Sequence, residues 1–381
     1  MKKQELLKEY EYKLVDMYAR ANTKSKKKRI VYDLFDFSNI CYNHFDIERS
    51  FPWETDEEMI KLIEDFRRPF IQNVLKDKDM YNDFSKSVIN TFLEVDYPFY
   101  DDYYKLLYKL SKEDVKEIIL SFLNSYDPKL ERIFKSKLDD CEIFDTNLYK
   151  KTGFTGLCYP FNSLKKSLIF CEDSSSSIFM AGMLIHEFGH AYEYEIMYNN
   201  GINDHISSKE KSPFIELSSR FFEYAFYNYL YENRIFTEDA KICLRNYYKS
   251  MLEHIYEIHL ISEMDYITIN KYGMAEINDR SLGEYASKIK ECLNYYELPS
   301  EIGMEINFKD AFIYGLGSLF SIYLYENYKE EPNIFFKEFR NILVTYQHNN
   351  IDIFRSVGIT KDKIIKGKEL KKVLSYIKEN K

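Results

Sequence analysis

Residues 183–197 read MLIHEFGHAYEYEIM, and this stretch decides what kind of fold to expect. It contains no proline and continues an apolar run, IFMAGMLI, that begins at Ile178. A helix is therefore expected from Ile178 to about Met197. On a helix, residues four apart lie one above the other on the same face. His186 and His190 can thus aim at one point, with Glu187 beside it. Two imidazoles so arranged suit zinc, and the glutamate, not itself a ligand, can take a proton from water. Chance alone would place H-E-x-x-H in about one such chain per hundred, so the spacing by itself also leaves coincidence open.

A catalytic zinc takes three protein ligands and keeps one position open. The segment FIELSSRFFE, residues 214–223, offers the third. Ser212 reads as an N-cap and Pro213 as the first helical residue, which sets Glu216 in the first turn of a second helix. Glu223 follows seven residues later, two helical turns on, where it can accept a hydrogen bond from a ligand imidazole; Ser219 lies between them. The plain alternative is that both glutamates are solvated helix charges.

Composition supports a helical frame. Of 381 residues, 45% are apolar and 17% aromatic, enough for a sizeable core. Only 12 glycines and 8 prolines are present, too few for a many-stranded sandwich, so the fold class is mainly α. The net charge of −9 argues against nucleic acid or an anionic membrane as partner. The basic run KSKKKR, residues 24–29, reads as a solvated helix end. Six cysteines without a C-x-x-C pair read as reduced thiols. With no apolar leader and no apolar stretch of membrane-spanning length, a cytoplasmic protein is expected.

Two regions are expected: an N-terminal helical lobe over 1–150 and a catalytic helical domain over 151–381. Amphipathic helices are read at DEEMIKLIEDFRRPFIQNVL (56–75) and KEDVKEIILSFLNSY (112–126). Between 151 and 177 the character changes. Two short apolar runs, Leu157–Tyr159 and Leu168–Cys171, read as strands, and the serines that follow supply N-caps for the next helix. Further on, a long helix is expected from Thr237 to about Tyr272. A capping box at Ser281 and Glu284 opens another, and helices follow over 309–328 and 332–344. The Tyr and Phe residues on these helices read as core, and His254 and His259 as packing or surface residues.

HEFGHA followed by Glu216 in IELSSRFFE resembles the oligoendopeptidase F and thimet oligopeptidase family of zinc metallopeptidases. FIYGLGSLF, residues 312–320, resembles that family's tyrosine-bearing helix start. The likeness covers roughly 150–345, with a first lobe shorter than in full-length relatives and no histidine ahead of the tyrosine. It implies a zincin-like helical metallopeptidase with a small β element beside the cleft. It also implies one Zn2+ held by His186, His190 and Glu216, Glu187 as general base, and Tyr314 as oxyanion donor. Glu223 and Ser219 would support the ligands. Leu168, Phe170 and Cys171 would bind the peptide substrate by strand pairing. ELSSRFFE equally fits the thermostable-type carboxypeptidases, so endo- and carboxypeptidase action both stay open, as does a non-catalytic zinc- and peptide-binding relative.

Overall fold

The computed structural model describes residues 3–45, 109–140, 142–146, 155–161, 165–201, 216–266, 314–315 and 317–348. Two helices open the chain, α1 (Lys3–Arg20) and α2 (Lys24–Phe45), and α3 (Lys112–Tyr126) and α4 (Pro128–Asp139) come next. Three strands follow: β1 (Ile143–Thr146), β2 (Gly156–Phe161) and β3 (Lys166–Glu172). The remaining described elements are helices α5 (Ile178–Asn199), α6 (Leu217–Glu232), α7 (Thr237–Tyr266), α8 (Gly317–Glu330) and α9 (Pro332–His348). The protein is mainly helical, as its composition requires.

Helix α3 spans the residues that the periodicity marks. Ser111 accepts from the Asp114 N–H while the Asp114 carboxylate accepts from the Ser111 N–H, a reciprocal cap. Ser177, the last serine of its tract, caps α5 by accepting from the Met180 N–H. The long helix α7 begins at Thr237 as read. Residues 267–272, the Ser281–Glu284 box, the helix at 56–75 and the Ser212–Pro213 start lie outside the described residues.

The sheet has the order β1-β3-β2, with β1 parallel and β2 antiparallel to β3. β1 was not legible as a strand in the sequence. The alternation of β3 divides its side chains between two cores. Leu168 and Phe170, with Phe144 and Tyr159, pack against Leu14, Val15, Tyr18, Ile30, Val31 and Leu34 of α1 and α2. Ile169 and Cys171, with Cys158, join the larger core built on α5 and α6. This corrects the substrate-binding reading of Leu168, Phe170 and Cys171. All three are buried, and both edges of β3 are hydrogen-bonded to neighbouring strands.

Helices α3 and α4, although they precede residue 150, belong to that larger core through Ile119, Phe122, Leu130 and Phe134. α5 runs through its middle and is buried on nearly every side. The aromatic residues pack as expected: Phe221 and Phe222 of α6 meet Phe335, Phe336 and Phe339 of α9. Each fully buried Phe contributes about 2–3 kcal/mol. No described helix is long and apolar enough to cross a membrane.

Candidate metal centre

The centre forms where α5 and α6 touch backbone to backbone. Gly189 makes this possible: a Cβ there would lie 2.5 Å from Ser219 Cα and 2.8 Å from the Ser218 carbonyl oxygen. The Ser218 hydroxyl donates to the Gly189 carbonyl across the same contact (2.8 Å). That crossing brings the N-terminus of α6 beneath the two histidines. Glu216 is the N-cap of α6 and not a first-turn residue. Its carboxylate makes no cap bond. It faces His186 Nε2 at 3.2 Å and His190 Nε2 at 3.4 Å, and accepts from the Ser219 hydroxyl at 2.7 Å.

One ligand atom from each of His186, His190 and Glu216 falls within 4.8 Å of the others. Zinc bonds of about 2.0–2.1 Å at tetrahedral angles separate ligand atoms by roughly 3.3–3.4 Å, which the two His–Glu distances match. The second ring nitrogen of His186 is taken, because Nδ1 lies 3.0 Å from Glu223 Oε2. With Nδ1–H donated to that carboxylate, a neutral His186 would turn its Nε2 lone pair toward Glu216, where a metal ion could replace the second proton. Glu223 also accepts from Arg220 at 2.8 Å. Two nitrogens and a carboxylate oxygen, one imidazole braced by a second carboxylate, are a donor set that could hold a metal ion such as zinc.

The groups polarise one another. Burial works against charge on His186, but hydrogen bonds to Glu216 and Glu223 outweigh it and raise its pKa to about 10. His190 is raised too, burial being overcome by the Glu216 carboxylate. Glu216 is held well below the carboxylate range despite burial, through His190 and His186. Glu223 is lowered against burial by Arg220 and His186. Glu187 goes the other way: burial raises it, and the two histidines only partly oppose that. The same cage that favours imidazole protons would favour a dication in their place.

Glu187 is positioned by β2. Its carboxylate accepts a hydrogen bond from the Cys158 backbone N–H. A Cβ on Gly156 would sit 2.5 Å from Glu187 Oε1, so only glycine leaves room for that carboxylate. The ladder fixes which groups of β2 face outward. Glu172 N–H bonds the Thr155 carbonyl, so, counting by twos, Leu157 and Tyr159 turn to β3, while Gly156, Cys158 and Pro160 turn away from it. Pro160, which has no N–H to give, is thus tolerated at the outer edge. That proline is the sequence signal that β2, like β1 and unlike β3, is an edge strand among the described strands.

Tyr314 lies in a wide helical turn three residues before α8, with its ring stacked on His254 at 5.9 Å. Gly317, one turn on, would place a Cβ 3.1 Å from Glu216 Cβ, so this helix start abuts the third ligand. Tyr194 continues the 186–190 spacing by another four residues along α5. Burial, with the nearby charges of Cys158 and Glu193 and further that of Glu216, raises its pKa well above the usual value.

No protein-family model matches the chain, and no curated protein matches it in sequence. Solved structures do match. An oligoendopeptidase F from Bacillus anthracis str. Ames superposes with a TM-score of 0.50 at 12% identity, covering 96% of this chain and 68% of the other. PZ peptidase A bound to an inhibitor gives 0.51 at 11% identity, covering 96% and 71%. A second oligoendopeptidase F structure gives 0.50 at 11%, covering 96% and 70%. The fold is that of these peptidases.

Proposed function

We propose that the chain is a zinc metallopeptidase that hydrolyses peptide bonds in oligopeptides in the cytoplasm. The observation that carries this is the convergence of His186, His190 and Glu216 with Glu187 beside them, on a fold shared with an oligoendopeptidase F. His186, His190 and Glu216 would hold the zinc, which when bound would supply a Lewis acid for water and a carbonyl.

The chain's own groups do the rest. Glu187 accepts a proton from the attacking water and returns it to the departing amine. Glu223 keeps the His186 proton on Nδ1. The outward-facing main-chain groups of Gly156 and the Cys158 carbonyl align an extended peptide along β2 while the Cys158 N–H stays with Glu187, replacing the β3 pairing expected from sequence. Tyr314, beside the start of α8, donates to the developing oxyanion. Such donors are worth roughly 3–4 kcal/mol each.

The test is metal analysis of purified protein together with cleavage of a quenched peptide library. One zinc per chain is expected. Glu187→Gln should keep that zinc and lose roughly 10²–10⁴-fold in turnover. Wild-type turnover by that variant would end the mechanism.

A further inference from the structure

Arg220 stands at the junction of three helices behind the metal ligands, and the peptidase chemistry described so far makes no use of it. It is buried at 9% exposure. One Nη1–H donates to Glu223 Oε2 at 2.8 Å, the same oxygen that faces His186 Nδ1 at 3.0 Å. Its Nε–H donates in a different direction, to the Ser318 hydroxyl of α8 at 2.7 Å. The guanidinium lies over the Tyr247 ring of α7, 4.1 Å from its centroid. The Tyr247 hydroxyl in turn reaches the carbonyl oxygens of Arg220 (3.2 Å) and Ser318 (3.5 Å).

We propose that Arg220 is a two-armed positioning residue: one arm orients the ligand His186 through Glu223, and the other fixes the start of α8, and with it Tyr314, through Ser318. The physics favours arginine specifically. A planar fork can bond two partners in two fixed directions while stacking on an aromatic face, whereas a lysine ammonium is a point charge on a flexible stem. Without a cation beside it, Glu223 would be a buried carboxylate braced by His186 alone, and its grip on Nδ1–H would be set by that one contact. Ser318 follows Gly317, whose backbone abuts Glu216, and Tyr314 lies one turn earlier. The two arms therefore tie the metal ligands and the oxyanion donor to a single side chain. The second arm rests on the peptidase reading, while the first needs only the metal site.

The arms separate experimentally. Zinc affinity is measured by chelator competition, kcat and KM with a quenched peptide, and the Nδ1–H signal of His186 by NMR of 15N-histidine-labelled protein. Arg220→Met should weaken zinc about 10–100-fold and shift or broaden that signal. Ser318→Ala should leave both within about twofold but lower kcat roughly fivefold at constant KM. Arg220→Lys, which keeps a charge near Glu223, should hold zinc within about threefold while reproducing the kcat loss of Ser318→Ala. Arg220→Met with wild-type zinc affinity and an unmoved signal overturns the first arm. Ser318→Ala with unchanged kcat, or with zinc loss equal to that of Arg220→Met, overturns the second. A wild-type chain that binds zinc but cleaves no peptide sinks the peptidase reading and the second arm, and leaves the first to the zinc and NMR comparisons; one that binds no zinc overturns both arms.

Discussion

Gly156→Ala tests whether β2 aims the general base. An added Cβ would lie 2.5 Å from Glu187 Oε1, 2.9 Å from Cγ and 3.1 Å from Cδ. Ordinary contact with a carbon atom needs about 3.5 Å, so the glutamate arm must retreat by roughly 0.6–1 Å. The strand cannot yield instead, because it is laddered to β3 along its length. Glu187 ends in a flexible chain, so the fold survives, but its carboxylate leaves the Cys158 N–H that holds it. A misplacement of about 1 Å costs on the order of 10²-fold in rate, or about 2.7 kcal/mol of barrier. Steady-state cleavage of a fluorogenic peptide should therefore show kcat down about 10²-fold, with zinc content by elemental analysis unchanged. Turnover within about threefold of wild type would refute the argument that β2 sets the position of Glu187. If Glu187→Gln were equally silent, the assignment of the base would be at fault and not the geometry.

Two predictions concern the scaffold. Gly189→Ala drives a methyl into the Ser219 backbone, where no flexible side chain can give way. It should cost about 1–3 kcal/mol of stability and lower zinc affinity more than tenfold. Thermal melts with and without zinc check both effects, and an unchanged melt would mean that the helices slide freely. Lys137 is 3% exposed and donates to Glu142 (3.0 Å) and to the Ser167 carbonyl (3.2 Å) and hydroxyl (3.1 Å), pinning the end of α4 to β3. Breaking a buried pair costs roughly 3–5 kcal/mol, and Lys166 still partners Glu142, so Lys137→Met should lose about 3 kcal/mol in urea unfolding. A loss below about 1 kcal/mol would show that Lys166 alone is sufficient.

Local pattern carried much of this protein. The four-residue spacing of His186 and His190 and the seven-residue step from Glu216 to Glu223 are local properties, and helix geometry fixes them once each segment is helical. The runs at 157–159 and 168–171 likewise announced strands through composition. What the sequence left open was which elements meet. That Glu216 lies against both imidazoles depends on the close crossing at Gly189, a contact between segments 30 residues apart. That β2 and not β3 holds the outer edge depends on β1, whose pairing with β3 is a long-range hydrogen-bond choice. Nothing in the local pattern marks Arg220; its partners Glu223, Tyr247 and Ser318 come from three helices. The sequence by itself determined the candidate ligands' spacing along each helix. Only the tertiary structure decided their encounter, because backbone approach and strand order are set by the packing of distant side chains that no local period encodes.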